Sequence, residues 1–229
     1  MIDFSSITNS WGYILEGVKY TIELTVITAI GGLILGTGLA LCRLSTSKIL
    51  SEFSKLYTNL MRAVPLVLVL FWFFLLMPEV LKVLLGLDHP VMIGAEMTAI
   101  ITFVLFEAAY FAEIMRAGIQ SVSKGQMSAA MALGLRYGQT MRYVILPQAM
   151  STSVPAFVAN VIFLLKETSV FSAISLMDLM FTAKDLIGLY YKTTESLFLL
   201  VVFYLLILLP VSLLGSLLER RLRYAGFGA

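Results

Sequence analysis

Charge is what this 229-residue chain has least of. Only 13% of its residues are Asp, Glu, Lys or Arg, against roughly 25% in a soluble domain. A globule with half that charge has too few polar groups to cover its surface, so lipid must be the missing solvent. A single cysteine, Cys42, excludes an intrachain disulfide and leaves no cysteine set for redox or zinc chemistry. A single histidine, His89, leaves little for a histidine-based metal site. The net charge of +2 is too small to point to nucleic acid. There is no GxxxxGK[ST] loop, so the chain is not expected to bind ATP through one. HExxH and GxSxG are missing too, which removes support for an intramembrane protease. The opening MIDFSSITNS lacks the basic and apolar regions of a cleavable signal. No repeat and no low-complexity linker divides the chain, so one domain is expected.

What is present is apolar: 59% hydrophobic residues and a mean hydropathy of +0.94. A spanning helix needs about 20 mostly apolar residues. Uncharged runs cover 24–42, 63–78 (extended by VLKVLLGL), 143–165 and 196–218, and a fifth candidate at about 93–115 is interrupted by Glu107. The expected fold is therefore an all-α membrane protein with about five transmembrane helices. It would comprise an N-terminal segment at 1–16, a transmembrane domain over 17–218 and a tail at 219–229. Five spans put the termini on opposite sides. Eleven of the 16 basic residues surround the first and third connections or follow the last helix, among them Arg43, Lys48, Lys55, Arg116, Lys124, Arg136, Arg142 and Arg220. The positive-inside rule then puts the N-terminus outside and the C-terminus in the cytoplasm.

Helix packing is also legible. Gly32 and Gly36 form a small-x-x-x-small pair that lets another helix approach, or else reflect the ordinary glycine enrichment of membrane helices. Pro65 and Pro155 mark kinks or first turns. The longest hydrophilic connection, about 117–142, reads KGQMSAAMALGLRYGQTMRY in its second part. Its Ala, Met and Leu content predicts a short helix, a stop at Gly134 and a second helix, with Ala129, Leu133 and Arg136 at helical spacing. Such a segment suits docking into a protein cleft; equally, it suits lying on lipid.

Ionisable residues at mid-span usually face a cavity or a partner. Lys166 and Glu167, followed by Thr168 and Ser169, put a donor and an acceptor side by side within a span, or else form a salt bridge that neutralises itself. The two hydroxyls would serve a locally irregular helix. Glu107 shares a face with Tyr110, Phe111 and Ile114 and is expected to meet substrate or to pair with Lys166. Arg62 is expected to snorkel to lipid phosphate from the end of the second span. Glu113 and Arg116 are expected to form an i, i+3 pair, and His89 to occupy an exposed turn.

Ser128-Ala129-Ala130, three residues, Gly134, nine residues, then Val144-Ile145-Leu146-Pro147 resembles the "EAA" loop of ABC-importer permeases, with Ser128 in place of the acid and Val144 in place of isoleucine. RAVPLVLVLFWF at 62–73, FEAAYFAEIMRAGIQSVSKGQ at 106–126, LPQA at 146–149 and LLKETSV at 164–170 are similar to the polar amino-acid permeases among the type I importers, closest to those for glutamate and aspartate. The resemblance implies a permease that pairs with a second copy or a paralogue. It also implies two separate ATP-hydrolysing subunits holding ATP and Mg²⁺, and a periplasmic solute-binding protein that delivers substrate. Ser128, Ala129, Ala130, Gly134, Leu135 and Arg136 would then couple to the ATPase, and Glu107, Lys166, Glu167, Thr168 and Ser169 would line the substrate path. A secondary transporter and a non-transporting membrane scaffold are the rival classes; the first would show inverted repeats.

Overall fold

The computed structural model describes residues 4 and 9–224, with side chains as far as residue 221. Residues 1–3 and 5–8 of the 1–16 segment, the end of the 219–229 tail and the Arg223 side chain lie outside the described residues. Five helical segments are long and apolar enough to cross a membrane: Trp11–Arg43, Leu66–Leu85, Ala95–Ser121, Tyr137–Ile174 and Thr193–Arg221. The all-α expectation is borne out; no strand occurs among the described residues.

The first helix, α1 (Trp11–Arg43), and the third span, α5 (Ala95–Ser121), form the most extensive helix pair in the fold. Without water to drive association, such pairs depend on close backbone approach. A Cβ built at Gly36 would lie 2.7 Å from the Phe111 Cβ, 2.8 Å from the Ala108 carbonyl oxygen and 2.9 Å from the Ala112 nitrogen. One at Gly32 would meet Phe111 at 3.0 Å and Glu107 at 3.1 Å. The Gly32/Gly36 pair is thus a packing device, and only glycine fits at Gly36. Thr25 and Thr28 on the same buried face donate back to the carbonyls of Thr21 and Leu24, each at 2.7 Å, so their hydroxyls need no outside partner.

Between these helices the chain forms α2 (Lys48–Ala63), α3 (Leu66–Phe71), a π-helical turn at Trp72–Leu76 and α4 (Met77–Leu85). A second π-helical turn, Met141–Ile145, joins α7 (Tyr137–Thr140) to α8 (Leu146–Glu167). Both turns have the same cause. Pro78 and Pro147 lack an N–H, and the residue before each proline donates five residues back, Met77 to Trp72 and Leu146 to Met141. Between α5 and α7 lies α6 (Lys124–Ala132).

After α8 the chain tightens into a 3₁₀ helix, Thr168–Ile174. Thr168 donates to the Leu165 carbonyl and Ser172 to that of Ser169, both at 2.8 Å, so the local irregularity expected at these hydroxyls is present. The buried Asp178 then caps α9 (Leu179–Tyr190), accepting from the Phe181 N–H at 2.7 Å. The last helix, α10 (Thr193–Tyr224), packs against α8 and α9.

Candidate functional site

The connection between α5 and α7 is built as the composition predicts. Ser123 caps α6, its hydroxyl accepting from the Gly125 N–H at 3.3 Å. The helix ends in a Schellman arrangement: Gly134 donates to Met131 at 3.0 Å, and Leu135 donates to Ala130 at 3.2 Å. Gly134 has φ +86°, a conformation that costs a side chain dearly but costs glycine nothing. The Arg136 N–H, donating to the Gln139 side chain at 2.9 Å, starts α7. Arg136 therefore lies beyond the break rather than on the face of Ala129 and Leu133, because the helix stops at Ala132. Ser128, Ala129, Gly134 and Arg136 are exposed, Leu135 is half-buried, and Ala130 is buried as the anchor of the loop. Leu133, at 84% exposure, projects from the break beside exposed Met131 and Tyr137.

Inside the spans the ionisable groups converge differently from expectation. Glu107 on α5 is fully buried and accepts from the Asn160 amide on α8 at 2.6 Å. No ion pair joins it to Lys166 among the described residues, and the Lys166 side chain is exposed. Glu167, one position on, is turned inward and half-buried. Among the described residues, Glu107 Oε1 and Glu167 Oε2 have no hydrogen-bond partner. Adjacent helical residues point about 100° apart, which is why Lys166 and Glu167 do not pair with each other. Thr168 is buried and Ser169 half-buried, both in the 3₁₀ turn.

Tyr110, one turn from Glu107 on α5, packs against the apolar cluster that holds Leu164 and Phe171. Arg62 stacks its guanidinium over the Tyr110 ring at 5.5 Å from the centroid. It does not stand free at the end of a span, as the charge pattern suggested. The helix α2 brings it along α5 to the level of Tyr110, roughly 16 Å along that helix from Ser121 at about 1.5 Å per residue. Nearer the same end, Glu113 is the hub of three cations. Arg116 bonds it at 2.9 Å in the expected i, i+3 geometry, Arg43 of α1 bonds its other oxygen, and Arg62 approaches at 3.9 Å. His89 is in an exposed turn, as expected.

Sequence reasoning missed Asn160 and the contacts of Arg62 with Tyr110 and Glu113. Asn160 is uncharged and escapes a scan for ions, although it stands seven residues, two helical turns, before Glu167.

A bundle of apolar spans with carboxylates buried between them, and with a two-helix loop held outside them, has the build of a membrane transport subunit. The chain belongs to the family of binding-protein-dependent transport system inner membrane components, whose profile matches residues 32–224. It is 43% identical over 220 residues to the glutamate/aspartate import permease protein GltK of Escherichia coli O6:H1, covering 96% of this chain and 97% of that protein. It is 36% identical to the arginine transport system permease protein ArtQ of Bacillus subtilis, covering 97% and 98%. Among solved structures, a chain of an amino acid ABC transporter with histidines superposes with a TM-score of 0.84 at 31% identity, over 96% of this chain and 99% of that one. The resemblance carried by the loop spacing and the span motifs is thereby borne out.

Proposed function

We propose that this chain is the permease subunit of an ATP-driven amino-acid importer and that glutamate and aspartate are its substrates. The observation that carries the first part is the glycine-broken loop at 124–140, which holds Leu133 and Tyr137 outside the bundle at the motif spacing of a docking segment. Two ATP-hydrolysing subunits, bearing ATP and Mg²⁺, dock there. A periplasmic binding protein delivers substrate at the opposite end, and a second copy or a paralogous permease completes the pore. The N-terminus is periplasmic and the C-terminus cytoplasmic, an orientation under which reporter fusions near residues 88 and 125 should read out and in. Similarity to GltK at 43% supports the acidic substrates; the relatives named for arginine and glutamine, at 36% and 31%, support amino acids as the class.

Glu107, Glu167, Thr168 and Ser169 line the path, with Lys166 at its outer edge. Carboxylates at this depth attract the ammonium group shared by every amino acid, and in the irregular turn after Glu167 the Ser169 side chain is only half-buried. Gly134→Asp tests the docking surface. The positive φ resists an L side chain by about 1 kcal/mol, and the loop loses its shape. The variant inserts normally but no longer co-purifies with, or stimulates, its ATPase. Gly138→Ala, also in open space but without a positive φ, keeps both. Normal coupling in Gly134→Asp removes the docking assignment.

A further inference from the structure

We infer that Arg62 is a carboxylate-binding residue of the substrate path, holding an anionic group of the permeating amino acid opposite Glu107 and Glu167. The inference rests on the transport reading above. Three observations carry it. Charge comes first. Glu113 supplies one negative charge to three arginines, and Arg43 and Arg116 already occupy both its oxygens; Arg62, at 3.9 Å, is the outermost of the three. A guanidinium within the bundle whose one ion-pair partner among the described residues is shared in this way leaves most of its donors for another anion. Position is the second. Arg62 is 42% exposed and lies over Tyr110, which stands one turn from Glu107 on α5 and packs against the apolar cluster holding Leu164 and Phe171, on either side of Glu167 in the chain. A zwitterion beside that ring would have the Arg62 cation at one end and the carboxylates of α5 and α8 on the side towards Glu107. Geometry is the third. Stacking on Tyr110 fixes the plane of the guanidinium, so its fork is preorganised for a bidentate carboxylate. A lipid phosphate would offer the same anion chemistry. However, the ring holds Arg62 well inside α5 rather than at its end, which favours a ligand travelling through the bundle.

The test is equilibrium binding of radiolabelled glutamate to the intact permease–ATPase complex in lipid nanodiscs, with competition by its α-amide and by glutamine. In the wild type, the amide lacking the carboxylate that Arg62 holds competes at least ~30-fold more weakly than glutamate, the scale of a lost charge-assisted bidentate contact. The α-amide shows that loss if the α-carboxylate is held; glutamine shows it if the side chain is. In Arg62→Gln the discrimination falls to within ~3-fold, because the remaining amide binds acid and amide alike. Should Arg62→Gln fail to assemble, Arg62→Lys carries the test: it keeps the charge, loses the fork, and shows a reduced amide ratio. An assembled variant with wild-type ratios for both amides overturns the inference, as does binding that follows the anionic lipid content of the disc instead. If the wild type binds none of glutamate, aspartate, glutamine or arginine, the substrate path itself is refuted and this inference with it. Binding by the wild type with unchanged discrimination in the variants refutes the role of Arg62 alone.

Discussion

Asn160 on α8 donates its amide to the fully buried carboxyl of Glu107 on α5, 2.6 Å away, while the Cβ of Glu107 fills the space left by Gly32 on α1. Three spans thus meet at one polar contact. Removing the donor leaves a buried acceptor unsatisfied, at a cost of about 1–3 kcal/mol. Asn160→Ala should therefore melt roughly 3–10 °C below wild type in detergent. Glu107→Gln keeps an acceptor for Asn160 and melts close to wild type. Equal melting temperatures for Asn160→Ala and wild type would show that the contact holds nothing together.

Two glycines of α1 separate packing from composition. Gly36→Ala forces a methyl against the backbone of α5, where Ala108 and Ala112 have no flexible side chain to move away. The variant should be destabilised by about 1–3 kcal/mol, the range for overpacking, and should accumulate poorly in the membrane. Gly38→Ala faces open space and should insert and melt as wild type or slightly better, since alanine is the stronger helix former. Comparing the two by thermal melting isolates the helix contact.

Asp178 gives the fold a pH dependence. Burial pushes its carboxyl up from the usual carboxylate range to about 7, against the lowering effects of the Phe181 N–H and Lys184. A folded-state pKa raised above the unfolded one means that the stability contribution is present at low pH and is lost as pH rises towards and through 7. The solubilised protein should melt higher at pH 5 than at pH 8. Asp178→Asn keeps the helix cap, removes the titration and flattens this slope. A wild-type slope in Asp178→Asn would assign the pH dependence elsewhere.

Four of the five spans were legible as long uncharged runs and the fifth as an apolar run interrupted by Glu107, and the break at Gly134 because glycine ends helices in the left-handed conformation. Two helices were not legible. The twelve-residue α9 carries Lys184 and Asp185, which read as a connection. In α2, Ser54 and Thr58 are buried while Ile49, Phe53, Leu56 and Leu60 face outward, the reverse of the pattern that a water-soluble helix would show. The second span does begin after Arg62, at Leu66, but the contact of that arginine with Tyr110 of α5 depends on how α2 packs, which the charge pattern does not contain. The pairing of Glu107 with Asn160 rather than Lys166 depends on which way α8 is rotated, and a scan of charges does not contain that rotation.

ATP-driven uptake is the measurement that bears most directly on the central claim. Proteoliposomes holding this permease, its ATPase and its binding protein should accumulate labelled glutamate or aspartate only with ATP present. Lys166→Met and Glu167→Gln should each assemble. Glu167→Gln should lose most uptake, because it loses the inward carboxylate, whereas Lys166→Met should retain more, since Lys166 is exposed. As the two residues form no ion pair with each other, the double variant should be no better than Glu167→Gln. Accumulation of these amino acids that needs ATP and fails in Glu167→Gln is the predicted result. Uptake without the ATPase, or undiminished uptake by Glu167→Gln and the double variant, would contradict the account.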